Sequence, residues 1–363
     1  MIPKYNNRNH AFHDEFNRLV DFYFEMYKLK ITGDWRLYLK ATILFAKMIL
    51  VYVTLMYFAS STLAIYLLWA LLGIVFALIG FNIMHDASHE SFSSIPWVNN
   101  LMARTLEIMG ASSFMWHYKH VILHHRFTNT HHDDDINTWP PIRMRREDRP
   151  LGIHKYQAYY AVVAYSLLYF AWVFYKDFQK YFHGHIGEYK IKKMPTSEHL
   201  IFWCSKVLYV FLFIVFPIYK LGITHALVGY LIFGSTCGLF ISIVFQLAHA
   251  VETSTFPKPD PVTNKIETPW AESQLQETMD FGTNSKILFW LLGGLNFQTV
   301  HHLAPKISHV HYPALSRILE RVAKTQNPKL IYNKKSLWGA LRSHFRFLDY
   351  AGNRMPYVPL ASE

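Results

Sequence analysis

Three histidine clusters, each standing just outside a long apolar run, constrain this chain more than any other feature. They are His85 and His89 in HDASH, His120, His124 and His125 in HVILHH, and His301 and His302 in QTVHH. A bilayer core requires about 20 apolar residues in helical form. Four segments approach or reach that length, 41–58, 63–84, 200–219 and 226–248, and they pair into hairpins turning at 59–62 and 220–225. Only a helix satisfies the backbone of such runs within lipid unless a barrel closes. The expected fold is therefore an all-α membrane protein: four transmembrane helices in two hairpins, interfacial helices, and a helical cap that gathers the clusters. The boundaries expected for this one domain, 1–363, are an N-terminal segment 1–40, a hairpin 41–84, cap segment 85–199, a hairpin 200–248, and cap segment 249–363.

Composition excludes several function classes. Charged residues make up 17% and hydrophobic residues 52% of the 363 positions, against about 25% charged in a soluble domain. The two cysteines, Cys204 and Cys237, sit inside apolar runs, so neither a disulfide framework nor a thiolate metal site is expected. The first residues, MIPKYNNRNHAFHDEF, lack the apolar core of a secretory signal. A net charge of +11 invites a nucleic-acid reading, but no basic stripe interleaved with aromatics stands on a soluble module. The charge instead follows topology. Seven Lys/Arg lie in 1–40, thirteen in 81–199 and ten from 304 onward, whereas the connections expected on the opposite side carry only Lys220. That asymmetry places the clusters and both termini on the cytoplasmic face. Lys47 and Lys206, inside two spans but near their ends, are expected to snorkel.

Residues 157–175 lack charge over nearly a membrane thickness. A fifth span there would put an odd number of crossings between His125 and His301 and separate the clusters. The segment is therefore read as interfacial, with its tyrosines and Trp172 as anchors; 286–295 is too short to cross and is read as lying on the surface.

His85 and His89 at i, i+4 share one helical face, as do His120 and His124; His125 turns about 100° further. Gln298, His301 and His302 stand at i, i+3 and i+4. Neutral imidazoles in this number suit iron, copper, zinc or nickel rather than calcium or magnesium. Seven of them exceed what one tetrahedral ion uses, so two metals are the economical count.

With the boxes HDASH, HVILHH and QTVHH in place, the chain resembles the membrane fatty acid desaturase superfamily over roughly 41–319. Gln298 opening the third box, with FQTVHHLAPKISHVHYPAL and KHVILHHRFTNTHHDDDI around the boxes, resembles the front-end or linoleoyl-CoA desaturase-like branch. The resemblance implies a non-haem centre of two iron ions with dioxygen as co-substrate. Its implied substrate is a fatty acyl chain on CoA or a membrane lipid. It also adds His249 as a ligand, with Gln246 holding a metal-bound water, and Gln298 orienting a water or an imidazole. Asp86 is the first choice for orienting a ligand imidazole, ahead of Asp133 to Asp135. Asn129 and Trp116 are expected along the substrate channel; Arg143, Arg145, Arg146 and Arg149 are expected to meet phosphate or anionic lipid. No HPGG motif of a fused cytochrome b5 occurs, so electrons are expected from a separate ferredoxin or cytochrome b5. Hydroxylation, epoxidation or acetylene formation by the same boxes, and a histidine-rich metal transporter, are the alternatives.

Overall fold

The computed structural model describes residues 2–6, 10–138, 140–326 and 330–358. Among the described residues four single helices are long and apolar enough to cross a membrane: Trp35–Tyr57, Thr62–Ser88, Thr196–Leu221 and Ile223–His249, called spans one to four here. Each starts or ends several residues beyond the apolar run that announces it, because polar residues extend the helices past the hydrocarbon. Asp34 caps span one by accepting from the Arg36 N–H at 2.9 Å, and Ser61 caps span two through the Ala64 N–H at 3.2 Å. Gly222, at φ 78°, turns the chain between spans three and four. Span two runs on without a break through the first histidine box, so His85 belongs to the membrane helix itself.

Span four packs on span two, and the contact depends on a glycine. A Cβ on Gly73 would stand 2.4 Å from the Phe233 carbonyl oxygen, so the two backbones approach as only small residues permit. Trp69, Leu72, Phe76, Phe213 and Phe233 fill the core between the spans.

The segment 157–175 is not a straight rod. Helices Gly152–Ser166 and Leu168–His183 meet at a 59° bend, and their buried face, Ala161, Tyr165 and Tyr169, lies against other helices. The His125 and His301 rings lie 4.5 Å apart. Two residues on one side of a bilayer need an even number of crossings between them, and spans three and four supply both. Residues 286–291 form a short helix, Lys286–Leu291.

The cap is built from amphipathic helices. Phe12, Phe16, Val20 and Phe24 recur every fourth residue along Ala11–Tyr27 and bury against Leu315, Leu319 and Val322 of Tyr312–Gln326. Helix Leu337–Asn353 lays Phe347, Leu348 and Ala351 beside Ala161 and Tyr165. Three two-residue strand pairs, Lys4–Tyr5 with Lys265–Ile266, His185–Ile186 with Tyr189–Lys190, and Asp280–Phe281 with Lys334–Lys335, pin loops to these helices.

One lysine behaves otherwise than its sequence position suggests. Lys206 does not snorkel: its ammonium is buried and donates to the Gly110 and Val173 carbonyls at 2.6 and 2.9 Å and to Asp177 at 3.0 Å. Lys47 is exposed. Replacing Gly73 by Ala is expected to cost about 1–3 kcal/mol through overpacking, read as a lower melting temperature in detergent. Gly152→Ala, where nothing lies within 4 Å of the new Cβ, is the control and should leave melting unchanged.

Candidate metal centre

The boxes sit where helices depart from α geometry. Gly80–Met84, immediately before box one, and His117–His124, which holds box two, are π-helical. Bonds from i to i+5 turn each residue through less than the α-helical ~100°. In an α-helix His125 would swing well away from His120. In the wider helix His124 and His125 flank it, with ring centroids 4.9 and 5.0 Å from that of His120.

The histidines form two buried groups. His85, His89, His120 and His301 bring one ring nitrogen each to within 4.8 Å of one another, and His124, His249 and His302 do the same. The i, i+4 pair of box two is therefore divided between the groups, unlike the common chelation that α-helical spacing predicts. His125 stands between, its ring 4.5 Å from those of His89, His301 and His302. Gln298 lies with the second group, its amide Nε2 2.9 Å from His249 Nε2 and 3.2 Å from His302 Nε2.

Second partners fix which nitrogen faces inward. His120 Nδ1 meets Asp135 at 2.7 Å, His124 Nδ1 meets Asp133 at 2.9 Å, His301 Nδ1 meets the Tyr312 hydroxyl at 3.0 Å and His302 Nδ1 meets Gln274 Oε1 at 2.7 Å. A carboxylate only accepts, so Nδ1 of His120 and His124 carries the proton and Nε2 keeps its lone pair for a metal. The Nε2 atoms of His89, His124 and His301 and both nitrogens of His125 are buried without a hydrogen-bond partner among the described residues. An unmet buried polar atom costs about 1–3 kcal/mol. Several lone pairs converging in one place fit metal ions well and a hydrogen-bonded core poorly.

Burial, reinforced by neighbouring imidazoles, holds His89, His125, His301 and His302 well below the ordinary imidazole range. His124 runs the other way: burial is the largest single influence and lowers it, but the Asp133 and Asp135 carboxylates together outweigh burial and the net shift is upward. Burial would raise Asp135, yet Lys119 at 2.5 Å and His120 hold it well below the usual carboxylate range.

Several residues sit differently from the sequence reading. Asp86 bonds no ligand imidazole; its carboxylate turns to Ser308 at 2.8 Å and His309 Nδ1 at 2.9 Å. Asp133 and Asp135 take the orienting role instead. Gln246 is buried, its Oε1 unpartnered among the described residues. Asn129 is buried, and its amide ties together the carbonyls of His249, Thr255 and Glu277 at 3.0–3.1 Å. Trp116 stacks on His120 at 4.3 Å. Arg143 and Arg145 are buried, the first donating to the Asp148, Ala351, Met355 and Pro356 carbonyls and the second paired with Asp148. Neither can reach a phosphate. Arg146 and Arg149 are exposed. Gln274 and Tyr312, which hold the His302 and His301 imidazoles, have no counterpart in the sequence reading, because no spacing rule connects them to the boxes. A recess of about 480 Å³ between Tyr5, Val121, Ile122, Arg126 and Trp270 reaches the cluster at His125.

Two outcomes follow. Asp135→Asn is expected to weaken metal binding about 10–100-fold, measured by chelator competition; unchanged affinity would remove the orienting role. For the metal-free protein, folded and unfolded chains both hold neutral imidazoles above pH ~6.5. Below it the unfolded chain takes protons that the four depressed imidazoles refuse, so stability falls with pH, by on the order of 1.4 kcal/mol per unit for each group. His124 offsets part of this. Melting of the metal-free protein should thus drop between pH 7.5 and 5, and a rise would contradict the assignment.

Residues 61–334 match the family profile described as fatty acid desaturase. An acyl-lipid (8-3)-desaturase of Physcomitrium patens is 37% identical over 307 residues, which cover 82% of this chain and 63% of that protein. The sn-1 linoleoyl-lipid 6-desaturases of Synechocystis and Arthrospira platensis are 31% and 32% identical, covering 94% and 93% of this chain and 96% and 92% of their own lengths. The chain thus spans less than two thirds of the moss protein and nearly all of the cyanobacterial ones. With the three boxes inside the matched region, the chain belongs to the fatty acid desaturase family, the oxidoreductases that introduce double bonds into fatty acyl chains.

Proposed function

We propose that this protein desaturates acyl chains carried on a membrane lipid, with two irons held by the two histidine groups at the cytoplasmic ends of the spans. The observation that carries the reading is the division of buried imidazoles into His85, His89, His120 and His301 on one side and His124, His249 and His302 on the other, with His125 between. The relatives' names share a lipid-linked acyl substrate, which favours lipid over CoA as the carrier.

Turning two adjacent methylenes into a double bond removes two hydrogens, and reducing one dioxygen to two waters takes two more electrons and two protons. Bound iron supplies that oxidation, which no side chain provides. Those two electrons come from a separate donor protein of ferredoxin or cytochrome b5 type. The chain's own residues set the geometry. Asp133, Asp135, Gln274 and Tyr312 fix the imidazoles, Trp116 covers one side of His120, and Gln298 stands where it can orient a water beside His249 and His302. The recess ending on His125 gives the cluster its opening to the outside. Arg146 and Arg149 are the exposed cations of their loop, suited to a lipid phosphate. A transporter would string its ligands along a path through the bilayer, whereas here all eight histidines converge.

Expression in a host lacking the product, followed by mass spectrometry of lipid acyl chains with double-bond localisation, should show a new unsaturated chain. His124→Ala should reduce it below detection, since it removes a ligand and strands Asp133. Hydroxylated or epoxidised chains would assign the alternative chemistry, and no modified chain in the wild type would refute the reading.

A further inference from the structure

A second buried polar assembly lies beside the cluster and takes no part in it. Asp86 Oδ2 accepts from Ser308 Oγ at 2.8 Å, from the His309 N–H at 3.3 Å and from His309 Nδ1 at 2.9 Å. That carboxylate places the proton on Nδ1 and leaves His309 Nε2 as an acceptor. Lys40 Nζ, from span one, stands 3.0 Å from it. The other ammonium contacts are Asn82 Oδ1 at 2.8 Å and the Trp290 carbonyl at 3.0 Å, so three donors meet three acceptors. Asn82 passes the tie on, donating to the Leu78 and Leu291 carbonyls at 2.8 and 2.7 Å. Lys40, Asn82, Asp86 and His309 are all at most 4% exposed.

The elements joined are telling. Asp86 neighbours His85, and Asn82 lies in the π-helical turn that leads into box one. His309 stands three residues before Tyr312, whose hydroxyl meets His301 Nδ1. Box one and box three supply His85, His89 and His301 to the same four-histidine group. The Lys40–His309–Asp86 line therefore fastens the two backbones that must stay in register for that group. The other group is fixed through Asp133 and Gln274. Buried ion pairs give little net stability against apolar replacements, and registry is their best-attested use.

Resting on the reading of the cluster as a two-metal site, we propose that Lys40 and His309 are positioning residues which hold box one against box three and so set the four-histidine metal position alone. The consequence is an asymmetric loss. Full-length protein in detergent, loaded anaerobically with ferrous iron, should hold two equivalents and release both slowly to a chelator. In His309→Leu and in Lys40→Met one equivalent should leave about 10–100-fold faster, while the other keeps its wild-type rate. His309→Asn, whose amide nitrogen can still reach Asp86, should stay closer to wild type than His309→Gln, whose amide reaches Lys40 instead.

Folding is followed by gel filtration and melting in the same samples. Folded His309→Leu and Lys40→Met that release both irons at wild-type rates overturn the proposal. So does an equal acceleration of both irons, the mark of general loosening. Where the apolar variants do not fold, the Asn and Gln variants decide, and identical release from the two overturns it. A wild-type chain that binds no iron refutes the two-metal reading itself, and the proposal with it; a wild type that binds two, with folded variants that release both at the wild-type rate or both equally faster, refutes the proposal only.

Discussion

The structure is arranged around eight buried imidazoles that converge in one place. Removal from water favours the neutral form of His89, His125, His301 and His302, while carboxylate neighbours turn His124 the other way; orientation has to be imposed ring by ring. An imidazole has two nitrogens, and only a fixed partner on one decides which lone pair is left for a metal. The partners come from three separate stretches of chain: the acidic loop after box two, helix Trp270–Glu277 and helix Tyr312–Gln326. The cap is therefore as much a part of the metal centre as the boxes are, and the amphipathic packing of Phe12, Phe16, Val20 and Phe24 on Leu315 and Leu319 steadies the helix that Tyr312 begins.

The membrane helices contribute through their irregularities. A regular α-helix carrying HVILHH would turn His125 away from its neighbours, and the π-helical stretch His117–His124 returns it. Before box one the same device recurs, and there the sequence shows a physical partner. Asn82 bonds the Leu78 carbonyl of its own helix and the Leu291 carbonyl of the next layer. The turn containing Gly293 lies so close to this stretch that a Cβ would stand 2.4 Å from the Phe81 carbonyl oxygen. Helix widening, a side chain inserted into the ladder and a glycine contact occur together where the chain leaves the apolar region for the metal.

Much of this was legible in the sequence, for identifiable reasons. Apolar length and charge asymmetry reveal the spans because lipid leaves the backbone few options. The boxes stand out because histidine is rare beside apolar runs. Parity of crossings argues against a full span at 157–175, where the structure has two helices that meet at a 59° bend. What sequence did not show is anything that depends on long-range pairing. Asp86 lies next to His85 yet serves His309, 223 positions away along the chain. Arg143 and Arg145 look like surface cations and are instead used up by carbonyls and Asp148. Lys40 offered the one overlooked signal, since an ionisable residue at the edge of a span usually has a partner.

The partners also share out charge. In the first group His120 is backed by a carboxylate, Asp135, and His301 by a neutral hydroxyl, Tyr312. In the second, His124 is backed by Asp133 and His302 by the Gln274 amide. Each histidine group thus has one carboxylate-backed and one neutrally backed imidazole. On the two-metal proposal, two divalent ions would bring four positive charges into a buried site, where uncompensated charge is expensive. Direct carboxylate ligands would answer that charge at the metal; here the carboxylates would answer it one residue further out, through the ring. The two carboxylates are not equivalent, because Lys119 shares Asp135 at 2.5 Å. On the two-metal proposal, the four-histidine group would therefore face a partly neutralised carboxylate, whereas the group of His124, His249 and His302 would face Asp133.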